Sequence, residues 1–424
     1  MHPQALLELA TELIHRVLQL QHPADGVVSD FFRQHRALGS RERHTLAETT
    51  YAVLRERLLF QHLAQSGKGE MERRLAVLAW QGNEGFLRAA LSETEQQWLA
   101  QVKQVDRAAL PEKLRHNLPE WLATTLRAEL GEAEFWPLIE ALNAPAGLDL
   151  RVNTFKAKRE AAQSELRTNG IEAVATPYSP LGLRIAGKPA LNKLEAYIRG
   201  DIEVQDEGSQ LLALLAGAKR GEMVADFCAG AGGKTLALGA EMRNTGRLYA
   251  FDTSGHRLAA LKPRLARSGL SNVYPIQIAH ERDERIKRLA RKLDRVLVDA
   301  PCSGLGTLRR NPDLKWRQTP QAIEELRAKQ AAILASAARL VKPGGRLVYA
   351  TCSLLRAENE EVAAAFATEH GSEFEPLDAA EVLQAAHVGQ TPQDVAGLVR
   401  DGCLRLWPHR HATDGFFAAV WQRR

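Results

Sequence analysis

Four short, nearly continuous apolar runs, separated by helical stretches, dominate the chain after Asp201. They occupy residues 223–227, 247–251, 295–299 and 346–350. Strands that are buried on both faces of a parallel sheet have this kind of sequence. The stretches between them, such as 256–268 and 320–340, have the apolar spacing of helices. This alternation predicts a doubly wound α/β domain.

The chain before this domain has two other sequence patterns. Up to residue 145, apolar residues recur at helical spacing, and Ser40 is expected to cap one helix, with Arg43 where a capping glutamate usually stands. Strand-like runs at 148–152, 171–175 and 182–186 then surround a helical stretch. We therefore expect three regions. They are a helical region at 1–145, a small α/β module at 146–200 and the larger domain at 201–424.

Composition excludes several classes of protein. The 424 residues are 45% hydrophobic and 25% charged, as in globular proteins. No run approaches the roughly 18 apolar residues of a membrane helix, and the N-terminus lacks a signal-peptide pattern, so we expect a cytoplasmic protein. A net charge of +5 permits a nucleic-acid partner without requiring one. The four cysteines form no Cys-x-x-Cys pair, so we expect neither a metal site nor a disulfide framework.

Each of the four predicted strands ends in polar or reactive residues. The first runs into a glycine-rich loop and the second ends at Asp252. The third continues into Asp299 and Cys302, and the fourth into Cys352. A helix cap, a turn or a small buried side chain would explain any one of them alone. Because the carboxyl ends of parallel strands meet at one edge, the four together predict a ligand site there.

The glycine-rich loop is compatible with more than one nucleotide. Its members are Cys228, Ala229, Gly230, Ala231, Gly232, Gly233 and Lys234. A phosphate loop that ends in Gly-Lys-Thr requires glycine at position 228, which holds cysteine here. Glycines followed by an acid 22 residues after Gly230, at Asp252, favour a nucleoside cofactor whose ribose hydroxyls pair with that acid. The loop alone does not separate NAD from S-adenosylmethionine.

The two cysteines at adjacent strand ends favour S-adenosylmethionine, because hydride transfer has no use for a thiol pair. C5 of a pyrimidine is a poor nucleophile until a thiolate adds to C6, after which C5 can attack a sulfonium methyl group. A base then removes the C5 proton and the thiolate is expelled. Asp299, close to Cys302 in the chain, is suited to share a proton near N3 as negative charge develops there.

The motifs around these residues resemble those of the RNA (cytosine-5)-methyltransferases. The nearest type is the Sun/Fmu (RsmB) group, which modifies bacterial small-subunit ribosomal RNA. The matching segments are 226–234, 299–304, 311–316, 349–353, 358–360 and 414–417. The resemblance covers residues 201–424 and extends to 113–200. In this group the helical N-terminus resembles the NusB antiterminator fold, which residues 38–43 fit loosely.

This resemblance implies a Rossmann-like S-adenosylmethionine-dependent methyltransferase with a helical N-terminal domain and a small α/β RNA-binding module. It implies that Cys352 is the nucleophile and that Cys302 is the second thiol, which assists product release. Residues 228–234, Asp252 and Asp299 would hold S-adenosylmethionine, with Asp299 facing the cofactor and the target base. The substrate would be 16S ribosomal RNA, with its cytosine single-stranded or flipped.

The chain departs from the pattern of this family at two places. The loop has Gly230-Ala231 where the family usually has Ala-Pro, which should loosen the turn without removing a contact. The third strand of the sheet, near 276–280, normally ends in an acid close to the adenine. Ala279 and His280 stand there instead, and Asp283 is the candidate substitute.

Basic residues and a tryptophan follow the third-strand motif and suit contacts with phosphates and stacked bases. They are Arg309, Arg310, Lys315, Trp316 and Arg317. The small module resembles an RNA-recognition-like insert, from which we expect shape and phosphate contacts. The alternative function is a catalytically silent RNA-binding assembly factor that keeps the fold. The presence of both cysteines and Asp299 favours the enzyme.

Overall fold

The computed structural model describes residues 1–187 and 189–424. Within this range the chain divides into two units. The helical unit comprises Met1–Pro145 and Thr307–Thr319, and the α/β unit comprises Ala146–Gly306 and Pro320–Arg424. No helix of the described residues combines the length and the apolar character that are needed to cross a bilayer.

The helical unit is built on amphipathic helices. They are α1 (Pro3–Leu18), α2 (Ala24–Gln34), α3 (Ser40–Arg55), α4 (Arg57–Ala64), α5 (Met71–Leu78), α6 (Glu84–Ala90), α7 (Glu93–Val102), α8 (Glu112–His116), α9 (Glu120–Leu130), α10 (Glu132–Asn143) and α17 (Leu314–Arg317). Leu6, Leu13 and Val17, which recur at helical spacing on α1, are buried in the core of this unit.

The start of α3 differs from the sequence prediction by one residue. The helix begins at Ser40, so Gly39 is its N-cap, and the prediction of Ser40 as cap is wrong. Glu42, the third residue of the helix, accepts a hydrogen bond from the Gly39 N–H at 2.7 Å. The capping glutamate is therefore present at Glu42, and Arg43 does not replace it.

The small module of the α/β unit is a four-stranded antiparallel sheet with order β2-β3-β1-β4. Its elements are β1 (Leu148–Val152), α11 (Arg159–Thr168), β2 (Ala173–Ala175), β3 (Gly182–Ile185), α12 (Glu195–Ile198) and β4 (Ile202–Val204). The three predicted strands are present. The fourth strand, β4, lies beyond residue 200 and completes the sheet just before the larger domain.

The larger domain contains a nine-stranded sheet with order β11-β12-β13-β9-β8-β5-β6-β7, to which β10 adds by pairing with β13. Its strands are β5 (Met223–Asp226), β6 (Arg247–Asp252), β7 (Val273–Gln277), β8 (Leu293–Asp299), β9 (Val341–Thr351), β10 (Phe374–Leu377), β11 (Val399–Arg400), β12 (Cys403–Leu406) and β13 (Phe416–Arg423). Its helices are α13 (Glu207–Ala216), α14 (Gly233–Glu241), α15 (Gly255–Ser268), α16 (Glu284–Lys287), α18 (Pro320–Ala338), α19 (Glu360–His370), α20 (Ala379–Ala385), α21 (Pro392–Ala396) and α22 (Pro408–His411).

The strand order places a topological switch point between β5 and β8. From β5 the chain builds outward through β6 to β7, and it then returns to build β8 and β9 on the other side. These five strands are parallel, and β13 joins β9 antiparallel. Val224 and Leu297 are buried on one face, and Ala225 and Val298 on the other. The predicted doubly wound sheet is thus confirmed, and ligands of such sheets bind at the switch point.

Candidate active site

The glycine-rich loop connects β5 to α14 at the switch point. Gly230 (φ +55°) and Gly232 (φ +83°) adopt left-handed backbone conformations, which favour glycine. A Cβ atom at Gly232 would overlap the Leu261 side chain, whereas one at Gly230 would meet nothing within 4 Å. The loop is therefore packed against α15 at one glycine and open at the other.

Asp252, at the end of β6, ties the loop to the neighbouring strand. Its Oδ2 accepts a hydrogen bond from the Gly230 N–H at 2.7 Å, and its Oδ1 accepts one from the Ser254 N–H at 2.7 Å. Each carboxylate oxygen can accept a second hydrogen bond. Asp252 thus lies beside the loop, as the sequence predicts, and it keeps capacity for a ligand.

Asp226 is the last residue of β5, and Cys228 is the first residue of this loop. Asp226 is buried, its Oδ2 accepts a hydrogen bond from the Thr235 hydroxyl at 2.6 Å, and burial raises its pKa to about 7. Asp226 Oδ1 has no hydrogen-bond partner among the described residues. Burial, followed by the charge of Asp299, also raises the pKa of Cys228, so this thiol keeps its proton.

Lys234 and Asp299 form an ion pair between α14 and the end of β8. The Nζ–Oδ2 distance is 2.7 Å, and Lys234 is 11% exposed. Burial by itself lowers the pKa of Lys234, but the attraction of Asp299 outweighs it and the pKa is raised. The Phe416 ring lies 5.9 Å from the ammonium group. Lys234 therefore brings a stable positive charge to the same edge.

Cys302 and Cys352 lie on loops that follow the paired strands β8 and β9. Their sulfur atoms are 3.3 Å apart, and both residues are half-buried. The hydrogen bond with Cys352 and burial raise the pKa of Cys302 well above its usual range. The structure thus brings both predicted cysteines together, with Cys302 as the sulfur that holds its proton.

Two glycines allow these loops to approach so closely. The Gly306 N–H donates to the Cys352 carbonyl at 2.8 Å, and the Gly415 N–H donates to the Gly306 carbonyl at 2.8 Å. A Cβ atom at Gly306 would overlap the Gly415 carbonyl oxygen. In the sequence, only the family resemblance connects 414–417 to the site, and no pattern marks Gly306 as a contact residue.

Arg405 on β12 is a second contributor to the site that was not predicted from the sequence. Its buried guanidinium donates to the Leu354 carbonyl at 2.6 Å and to the Ser353 carbonyl at 3.4 Å. It therefore fixes the backbone that follows Cys352. No local pattern marks this arginine, because it acts on a loop about fifty residues away.

The end of β7 shows where the candidate acid near the adenine lies. The Asp283 carboxylate accepts hydrogen bonds from the Ala279 and Arg285 N–H groups, both at 2.9 Å. These two bonds lower the pKa of Asp283. The side chain is thereby held at Ala279, next to the carboxyl end of β6, whereas His280 is exposed.

The basic segment after the third-strand motif does not lie as predicted. Lys315 is 2% exposed, and its Nζ donates to the Arg55 carbonyl at 2.7 Å. Trp316 donates from its indole N–H to the Leu54 carbonyl at 2.7 Å. The prediction that Lys315 contacts RNA is therefore wrong, because its side chain is buried in the helical unit, against which Trp316 is partly buried.

The site combines a thiol pair, a buried lysine and several carboxylates around a glycine-rich turn. No group of three or more His, Cys, Asp or Glu side chains in the described chain is arranged to hold a metal ion. The arrangement suits addition of a thiolate to an electrophilic carbon, with charge stabilisation from Lys234.

The chain matches two protein-family profiles. Residues 213–422 match the family described as 16S rRNA methyltransferase RsmB/F. Residues 118–192 match the ferredoxin-like domain of RsmF/B-like methyltransferases. The second match includes most of the small antiparallel module.

Individual proteins of the same kind are also similar to this chain in sequence or structure. A probable ribosomal RNA small subunit methyltransferase B from Synechocystis is 38% identical over 308 residues, which are 72% of this chain and 66% of that protein. The match thus spans just under two thirds of this relative. The crystal structure of PH0851 superposes with a TM-score of 0.79 at 26% identity and covers 99% of both chains. A methyltransferase homologue from Pyrococcus horikoshii, at 28% identity, has a TM-score of 0.62 and covers 76% of this chain and 100% of its own. These similarities confirm the resemblance drawn from the motifs, and the chain belongs to the RsmB/F methyltransferase family.

Proposed function

We propose that this protein methylates C5 of a cytosine in 16S ribosomal RNA through a covalent bond between Cys352 Sγ and C6 of the base. The observation that carries the proposal is the 3.3 Å separation of the Cys302 and Cys352 sulfurs. Two thiols at the edge that carries the glycine-rich loop suit a reaction that adds and then expels a sulfur nucleophile.

S-adenosylmethionine is the cofactor, and when bound it supplies a methyl group as an electrophile. Three features of this edge of the sheet fit it: the open space beside Gly230, the backbone N–H groups at the start of α14, and the buried Asp226 Oδ1, which has no partner among the described residues. Residues 228–234 would surround it, Asp252 would accept from its ribose hydroxyls, and Asp299 would face it. The acidic edge also suits its positive charge.

The first covalent step uses the Cys352 thiolate. Its Sγ forms a bond to C6, and the electrons of the C5–C6 double bond move toward C5 and the N3 side of the ring. The Lys234–Asp299 pair, 2.7 Å apart, is suited to share a proton with N3 as negative charge develops there. Lys234 also stabilises the thiolate by its charge.

The second covalent step uses Cys302. Once Cys352 is bonded to carbon, it no longer carries the charge and the hydrogen bond that raise the pKa of Cys302. Cys302 can then lose its proton to water and accept the C5 proton as a thiolate. The C5–H electrons restore the C5–C6 double bond, and the C6–S electrons return to Cys352 as the leaving thiolate.

The RNA would be held outside this pair of sulfurs. Arg309 and Arg310, which are partly exposed, remain candidates for phosphate contacts. The antiparallel module at 146–200 is the second candidate, and its match to the ferredoxin-like domain of the family supports that role. The target cytosine must leave its base stack, because C6 is otherwise inaccessible to a side chain.

Release of tritium from [5-³H]cytosine-labelled 16S RNA tests the proposal. With S-adenosylmethionine present, we expect tritium release equal to methyl incorporation, and 5-methylcytidine in the digested RNA by mass spectrometry. Binding of RNA and cofactor without tritium release would identify a silent assembly factor instead. Methyl incorporation without tritium release would place the reaction at another atom.

A further inference from the structure

The side chain of Glu358 is completely buried next to the two cysteine loops. Its Oε1 accepts hydrogen bonds from the Ser303 N–H at 2.8 Å and from Gln330 Nε2 at 3.0 Å. Its Oε2 accepts from the Ser303 hydroxyl at 2.5 Å and from the Ser353 hydroxyl. Four donors fill the usual acceptor capacity of an ionised carboxylate. The side chain thus acts only as a hydrogen-bond acceptor for its surroundings.

The two serines connect this carboxylate to the reacting sulfurs. Ser303 directly follows Cys302 and Ser353 directly follows Cys352. Their hydroxyl oxygens are 3.2 Å apart, and both donate to the same oxygen of Glu358. The carboxylate thus bridges two loops that follow different strands, through one hydrogen bond from each serine hydroxyl.

Glu358 is itself held from two sides. The Tyr349 hydroxyl, on β9, donates to its carbonyl oxygen at 2.5 Å. Gln330, on α18, donates to the Pro301 carbonyl at 3.0 Å as well as to the carboxylate. A rotation of the carboxylate would break several hydrogen bonds at once, so its position is fixed relative to β9, the strand that leads into Cys352.

We propose that Glu358 is a positioning residue, which holds the two cysteine loops together and so sets the distance between the Cys302 and Cys352 sulfurs. The proposal rests on the proposed function for its place in the reaction. Because the proposal concerns only the spacing of the two sulfurs, it can be wrong while the proposed function is right.

The two sulfurs have different charged neighbours. The hydrogen bond with Cys352 and burial raise the pKa of Cys302 most, and the negative charge that Glu358 places near this thiol adds to the rise. Lys234 places a positive charge near Cys352, and Tyr349 is the further titratable group in this cluster. This environment favours the thiol form of Cys302.

Glu358→Gln is the informative substitution, because it conserves size while it removes the charge. The amide oxygen can still accept from the Ser303 N–H and from Gln330 Nε2, but its NH₂ group then faces the two serine hydroxyls, which must change from donors to acceptors. The charge-assisted hydrogen bonds that connect the two loops are thereby replaced by weaker neutral ones. Ser353→Ala, which removes a single hydroxyl donor, is the milder variant should Glu358→Gln fail to fold.

The spacing is measured in the full-length protein without RNA or cofactor. The protein is equilibrated in glutathione buffers at pH 7, where each Cys302–Cys352 disulfide formed reduces one glutathione disulfide to two glutathiones. The linked peptide is quantified by mass spectrometry. We expect the effective concentration of the pair to fall about tenfold or more in Glu358→Gln, and by less in Ser353→Ala.

The charge effect is measured by the pH dependence of iodoacetamide labelling at Cys302. We expect the midpoint in Glu358→Gln to fall by about one pH unit. Glu361→Gln, on α19 with a side chain 51% exposed, is the matched control and should behave like the wild type in both assays. Wild-type effective concentration and labelling midpoint in Glu358→Gln and Ser353→Ala would overturn the proposal.

Discussion

The sulfur atoms of Cys302 and Cys352 lie 3.3 Å apart, although 50 residues separate them in the chain. Parallel pairing of β8 and β9, which sets Asp299 opposite Ala350, brings the two loops to the same edge. The final approach depends on the backbone contact between Gly306 and the Cys352 carbonyl. The thiol pair is therefore a product of sheet register and of one close glycine contact.

Replacement of Gly306 by alanine should separate the two sulfurs. The new Cβ would overlap the Gly415 carbonyl oxygen, so one cysteine loop must move. A displacement of about 1 Å at a reacting group costs roughly a hundredfold in rate, and we expect a loss of that order in single-turnover methylation. Gly147→Ala, whose Cβ meets nothing within 4 Å, is the control and should keep full activity.

Removal of the Lys234 charge should slow the chemical step more than it weakens RNA binding. Lys234→Met leaves Asp299 without its 2.7 Å partner and removes the positive charge from the thiol pair. Loss of one such electrostatic group costs roughly 10²–10³ in rate, measured as single-turnover methylation at saturating RNA. Lys262→Met, at an exposed position of α15, should leave the rate unchanged. A Lys234→Met variant that methylates RNA at the wild-type rate would show that Lys234 takes no part in the chemical step.

Asp252→Ala should weaken binding of S-adenosylmethionine by about 1.5–3 kcal/mol, the range for hydrogen bonds to a charged group. The substitution also releases the Gly230 N–H from its 2.7 Å partner, so the loop loses one of its ties. Calorimetric titration measures the dissociation constant. The exposed Glu284→Ala is the control, and an unchanged constant for Asp252→Ala would exclude the ribose assignment.

Lys315 should make the stability of the helical unit depend on pH. Burial lowers its pKa to about 7, whereas the unfolded chain has the ordinary value near 10.4. Between these values the unfolded state binds the additional proton, so stability rises from about pH 7 toward pH 10. The slope is at most about 1.4 kcal/mol per pH unit.

Thermal unfolding at constant ionic strength measures this dependence. Lys315→Met should flatten the rise, because it removes the titrating group from the buried site. Lys103→Met, whose side chain is 59% exposed in the wild type, should leave the rise intact. An equal slope in wild type and Lys315→Met would show that another group is responsible.

The sheet and the edge that carries the site could be predicted because buried parallel strands have a distinctive sequence. Each apolar run became a strand, and each polar strand end came to the switch point. The prediction failed at Ser40 by one residue, since glycine and serine are both acceptable N-caps. Which of the two residues is the N-cap depends on the backbone N–H that the Glu42 carboxylate contacts, and this contact exists only in the folded structure.

Lys315 and Trp316 show a different limit of prediction from the sequence. A basic segment with a tryptophan has the composition of an RNA contact, but the same residues can be buried where carbonyl groups accept their N–H bonds. Only the fold places Arg55 and Leu54 at those positions. Glu358 is a similar case, because its sequence neighbours do not reveal that its carboxylate joins two serines 55 and 5 residues away.

The most direct test of the proposed chemistry compares Cys352→Ala with Cys302→Ala on the same labelled RNA. Cys352→Ala should bind RNA and cofactor but form no covalent adduct and release no tritium. Cys302→Ala should add to C6 and methylate, and then stall before elimination, which leaves a protein–RNA species that survives a denaturing gel. A stable adduct with Cys352→Ala that is absent with Cys302→Ala would reverse the two roles and contradict the assignment of Cys352 as the nucleophile.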